Sequence, residues 1–190
     1  MLVTKPYNRE RAVSYARTWA LSRNPLFIDF TGIGGNCTNF VSQSILAGSC
    51  TMNYTPSFGW YYISPEERAP AWSSVEYFYD FITGAMDFAE QNGGAGPFAR
   101  EVPREEAMIG DVVQYANSEG DWYHTVIITL IDGDEIYVSA QSDDALDRPI
   151  SSYNFANARF LHIEGVRVEL SDDTCYEILL RGGSESSMSQ

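Results

Sequence analysis

The stretch GIGGNCTNFVSQ sets Cys37 directly after a glycine pair, Gly34 and Gly35, and before a run with helical spacing. A thiol at a helix N-terminus faces unpaired backbone N–H groups and the positive end of the helix dipole, and both favour the thiolate. The same N–H groups can donate to an oxyanion as it forms on a substrate carbonyl. Glycines beside the thiol let a substrate come close to the backbone with no side chain in the way. The bland alternative is a small thiol packed as a hydrophobe, and the segment alone fits both readings.

A thiolate nucleophile needs a base that can also serve as acid, and the chain has two histidines for that work. His124 lies in WYHTVII and His162 in FLHIEG, both strand-like, and spacing alone does not choose between them. In the first segment alternation predicts Trp122, His124 and Val126 on one face and Tyr123, Thr125 and Ile127 on the other. A third group commonly orients such an imidazole. The strand after His124 ends in VSAQSDD, where the side-chain carbonyl of Gln141 could accept from the ring, or could simply pair with backbone at the strand end.

The elements that must hold these residues follow from periodicity. Residues 8 to 21 place Ala12, Val13, Ala16, Trp19 and Ala20 on one helical stripe, with Asn8 as cap. Pro25 and three glycines make a loop up to Cys37, after which Phe40, Val41, Ile45 and Leu46 mark a second helix stopped by Gly48. An irregular, aromatic-rich excursion over 51 to 71 carries Trp60, Tyr61 and Tyr62. A third helix is expected from Ser74 to Ala89, with Val75, Phe78, Phe81, Ile82 and Met86 buried, and NGGAGP breaks the chain at 92 to 97. Strands are expected over 112–116, 122–131, 135–141 and 158–170, joined by the hairpin-like turns NSEGD and DGD. Helices first and a meandering antiparallel sheet afterwards describe an α+β domain over 1–181, followed by a disordered tail, 182–190.

Composition bounds the partners. A formal charge of -14, from 26 acids against 12 bases, repels phosphate backbones and anionic lipid, so nucleic acid and membrane surfaces are not expected partners. No apolar run reaches the length of a membrane span and the N-terminus lacks a signal-peptide pattern, from which a cytoplasmic protein is expected, or a secreted one where an export segment has been removed. Three cysteines without a CxxC pair and two histidines make a zinc site improbable, and no metal or cofactor is expected. Cys50 could pair with Cys175, but two buried thiols in a reducing cytosol are the favoured expectation.

Several blocks in order, YNRERAVSYARTWALSRNPLF, GGNCTNFVSQSILAG, MNY, GWYY, WSSVEYFYDFI, GDVVQ, HTVII and DRPISSY, resemble the bacterial putative amidase domain. That family is a branch of the papain-like cysteine hydrolases related to the NlpC/P60 and CHAP groups. The likeness runs from about Tyr7 to about Val168. It implies a papain-like core in which N-terminal helices, one carrying the cysteine at its start, pack on an antiparallel sheet carrying the histidine and a third polar residue. Cys37 matches the nucleophile, His124 the base and Gln141 the third position, where the family more often has histidine. Asn36 stands where the family more often has Asp, and is expected either to help hold the oxyanion or to cap the helix. His162 matches no family role and is expected to be structural. The implied activity is hydrolysis of a peptide or peptidoglycan-type amide through a thioester acyl-enzyme. Acyl transfer to an amine would use the same residues. The alternative is a catalytically weak or inactive binding domain of the same fold, with Gln141 marking decay of the site.

Overall fold

The computed structural model describes residues 2–85, 94–169 and 175–182. Helix α1, Arg9–Trp19, starts where the side chain of Asn8 accepts from the Arg11 N–H at 3.0 Å, the cap expected from sequence. It buries Ala12, Tyr15 and Ala16. Tyr15, off the expected apolar stripe, is buried because its hydroxyl is satisfied, donating to Gln43 Oε1 at 2.7 Å and accepting from Asn24 Nδ2 at 2.9 Å.

Helix α2, Cys37–Ser49, is buried at every position, polar ones included. Its polar side chains are tied to an aromatic layer folded over it. The fully buried Trp60 and Trp72 donate their indole N–H groups to Ser42 Oγ at 3.0 Å and Asn39 Oδ1 at 2.8 Å. The aromatic excursion is thus core wall, and its cost in buried polar groups is offset by these bonds. Contrary to expectation, Gly48 does not stop α2. The helix continues to Ser49 and ends on Cys50, which takes the left-handed conformation at φ 49°. Gly48 instead permits close packing, since a Cβ there would lie 2.5 Å from the Tyr7 ring and 2.7 Å from the carbonyl oxygen of Asn8.

Two further helices follow, α3 at Pro70–Ser73 and α4 at Val75–Thr83. The left-handed Gly84 ends α4 well before the expected Ala89, and Met86 lies outside the described residues.

The strands are β1 (Val3–Lys5), β2 (Gly96–Val102), β3 (Val112–Ala116), β4 (Trp122–Asp132), β5 (Glu135–Ala140), β6 (Ala145–Pro149) and β7 (Asn157–Val168). They form one antiparallel sheet in the order β1-β7-β3-β4-β5-β6, with β2 also on β7. Strands β3, β4, β5 and β7 match the expected segments. The others, short or without alternation, carried no clear sequence signal.

Each face of the sheet has its own core. One, carrying Val112, Ile127, Leu161 and Ile163, packs under α1 and α2. The other, carrying Val113, Tyr115, Val126, Ile128 and Val138, is closed by Ile150, Tyr153 and Phe155 from the segment between β6 and β7. The architecture is α+β with an antiparallel sheet, as expected.

The last described helix, α5 at Cys175–Leu180, is joined to the end of α2 by a disulfide between Cys50 and Cys175. This corrects the expectation of two buried thiols: the fold brings residues 125 positions apart into bonding reach. Residues 183–190 of the expected tail lie outside the described residues. Among the described residues, no helix is long and apolar enough to cross a membrane.

Candidate active site

Cys37, 8% exposed, is the free cysteine and the first residue of α2. Before it, Gly34 and Gly35 hold φ of 99° and 102°, a region that suits glycine. A Cβ on Gly34 would meet nothing within 4 Å, and one on Gly35 only Ser142 Oγ at 3.8 Å, so the approach to the helix end is open on that side.

Asn36 occupies the N-cap position but gives the helix no side-chain cap bond. Its Oδ1 accepts instead from the Phe30 N–H at 2.9 Å and from Asn39 Nδ2 at 2.8 Å, and its backbone N–H is held by Ser142 Oγ. First-turn N–H groups of α2 are therefore not consumed by an Asn36 side-chain cap, which is what an oxyanion site requires. The Nδ2 of Asn36 donates one hydrogen to Gln141 Oε1 and, among the described residues, has no acceptor for the other.

Gln141 follows directly on β5. Both of its Nε2 hydrogens go to carbonyl oxygens at the end of α1, those of Trp19 and Ser22, each at 2.7 Å. The amide thus clasps α1 to Asn36. The expected role of orienting His124 is corrected on a topological ground. Gln141 and Ser139 point to the helix face, whereas His124 points to the other.

His124 keeps the alternation that puts it on one face with Val126, and a bulge follows directly on it towards Trp122. In the register of β3 and β4, Tyr115 opposes His124 and Ala116 opposes Trp122, so Tyr123 is the extra residue. The bulge turns Trp122 onto the helix face, against the alternation expected from sequence, where its ring lies 3.9 Å from the Arg159 guanidinium carbon. His124 packs on the second face beside Tyr115, Tyr153 and Tyr123, with ring centroids 5.9, 6.2 and 6.4 Å away. Burial pushes its imidazole down to about 4 from the ordinary 6.5, with Asp143 opposing and Arg148 assisting. The ring is neutral at pH 7. Among the described residues, no hydrogen bond joins His124 to Cys37 Sγ.

The helix face at the Cys37 end carries a row of buried polar side chains that the sequence reading missed. Thr38 Oγ1 lies 3.8 Å from Cys37 Sγ and 2.9 Å from Thr125 Oγ1. Gln114 Nε2 donates to Thr125 Oγ1 at 3.2 Å and to the Val75 carbonyl at 2.9 Å, and Gln114 Oε1 accepts from Arg159 Nε at 2.9 Å. Arg159, 7% exposed, is stacked between Tyr79 and Trp122. Its available signal was a glutamine and a threonine inside the apolar strand segments VVQYA and HTVII.

His162, expected to be structural, lies in a cluster of charged and polar groups. Its Nδ1 pairs at 2.8 Å with Asp111, which is wholly buried and also takes Arg9 at 2.6 Å and the N–H groups of Met108 and Ile163. Among the described residues, no group of three His, Cys, Asp or Glu side chains is placed to hold a metal ion.

The chain is related by descent to amidase-type domains. It belongs to the putative amidase domain family, whose model matches residues 6–163. It is also 33% identical over 177 residues to the uncharacterized protein YhbB of Bacillus subtilis (strain 168). That alignment takes in 90% of this chain and 52% of YhbB, so the chain spans about half the length of the relative. No solved structure matches it.

Proposed function

We propose that the protein is a cysteine-dependent hydrolase of amide bonds with Cys37 as nucleophile. The observation that carries this reading is a free thiol at the side-chain-uncapped N-terminus of a buried helix, behind an open glycine approach, in a member of an amidase family. The thiolate sulfur attacks the carbonyl carbon, and the oxyanion is taken by first-turn N–H groups and the remaining Nδ2 hydrogen of Asn36. The amine leaves with a proton, and water then cleaves the thioester, releasing the acid and restoring the thiol. His124 is the proton carrier of this scheme. It is neutral, hence able to accept, and stands one residue from Thr125 at the same end of the sheet. The scheme requires its ring to leave the tyrosine face and meet the thiol when substrate binds, since catalytic hydrogen bonds often form fully only then. Gln141 acts on Asn36 instead of the imidazole. The papain-like relationship suggests a peptide or peptidoglycan-type amide as substrate.

One observation favours a second reading, a binding domain of the same fold: His124 and Gln141 occupy opposite faces of the sheet. Incubation with a mixture of peptides and muropeptides, read by mass, separates the two. We expect cleavage by the parent protein and a loss of at least about a thousandfold in Cys37→Ala. Undiminished cleavage by Cys37→Ala sinks the hydrolase reading, and ligand retention without cleavage by the parent establishes the binder.

A further inference from the structure

We propose that Arg159, Gln114, Thr125 and Thr38 form a hydrogen-bond relay of fixed direction that ends on Cys37 Sγ, which makes them positioning residues for the nucleophile. The proposal rests on the cysteine-hydrolase reading for its purpose, though not for its geometry.

Direction is imposed from the far end. The Gln114 amide has one permitted orientation, because the Arg159 Nε–H can only donate and the Val75 carbonyl can only accept. Nε2 of Gln114 must therefore be the atom facing Thr125, and Thr125 Oγ1 receives a hydrogen from it. The Thr125 hydroxyl then has its own proton to place in a fully buried setting. Among the described residues its other hydrogen-bond partner is Thr38 Oγ1, so the proton points there. Thr38, now an acceptor, has its proton free for Cys37 Sγ. With the reverse polarity the Thr125 proton would be buried without a partner, the costlier arrangement.

Every donor in the chain thus points from a guanidinium towards the sulfur. Hydrogen bonds ordered head to tail polarise one another, and the final O–H stabilises sulfur more as thiolate than as thiol. Arg159 is braced for this by Tyr79 and Trp122 on its two sides. Acidic groups balance it from outside: Glu76 at 3.8 Å, with Asp80 and Glu101 contributing at longer range. His124, across the sheet from Thr125, is no member of the relay.

Thiolate formation can be followed by ultraviolet absorbance against pH, with Cys37→Ala subtracted, a readout that needs no substrate. We expect Thr38→Val and Thr125→Val, which keep side-chain volume, to move the onset of thiolate absorbance up by about one pH unit and half a unit. Thr125→Ser, which keeps the hydroxyl, is expected to restore the parental onset, a rescue that a mere packing role would not give. Arg159→Lys, which keeps charge but loses the Nε contact to Gln114, is expected to shift it in the same direction as Thr125→Val. Unchanged onsets in both valine variants overturn the relay, even if Cys37→Ala abolishes amide cleavage. Shifted onsets in a protein that cleaves no amide keep the relay and remove the hydrolase reading.

Discussion

His124 and Thr125 are neighbours in the chain and live in opposite worlds. On the helix face, Thr125 belongs to a row in which Thr38, Gln114 and Arg159 are joined by hydrogen bonds. On the second face, His124 sits among tyrosine rings, and the Tyr115 hydroxyl is buried with no hydrogen-bond partner among the described residues. One face joins its polar groups in an ordered row, leaving Arg159 Nη2 without a hydrogen-bond partner among the described residues. The other lowers the pKa of its histidine by partial burial among aromatic rings. The pleat of a single strand thus puts the proposed relay and the proposed proton carrier on opposite faces of the sheet.

The comparison can be broken at either face. Gln114→Leu should have the largest effect, because it strips partners from Arg159, Val75 and Thr125 together. A loss of about 3 kcal/mol in urea unfolding with unchanged denaturant dependence is expected. A loss near zero would mean that the row is not a connected network. Next in size is an acid effect on the second face. The folded imidazole is depressed to about 4 from 6.5, so the unfolded chain takes up the proton first as pH falls. Stability from this source is whole above pH 6.5 and fades as pH drops towards 4, by about 2 kcal/mol at pH 5. His124→Phe should flatten the melting temperature over that window, and an unaltered slope would place the ring in water. The smallest effect belongs to Tyr115→Phe. Removing an unpartnered hydroxyl should leave stability within about 1 kcal/mol of the parent, on the stabilising side. A clear loss would reveal a bond at that hydroxyl and narrow the difference between the faces.

Much of this was legible in the chain. The Asn8 cap, the start of α2 at Cys37 and four of the strands follow from local chemistry, because caps and alternation act within a few residues. The partners of Gln141 were not legible, since Trp19 and Ser22 are more than a hundred residues distant and only the docking of α1 brings them near. The face of Trp122 was misread for a narrower reason. One extra residue at Tyr123 inverts the pattern that Trp122 would otherwise continue, and nothing in WYHT marks a bulge. Short strands such as Val3–Lys5 form only because β7 offers them an edge, so their own sequence holds no instruction strong enough to read.

The disulfide between Cys50 and Cys175 also turns the molecule into a record of its own history. A chain that matured under oxidising conditions presents a single titratable thiol even after denaturation, whereas one kept in a reducing compartment presents three. That count, taken on protein from its native source, tests the cytoplasmic expectation directly. In the oxidised form Cys37 is the only sulfhydryl left, so any thiol-directed reagent becomes by default a label of that one position.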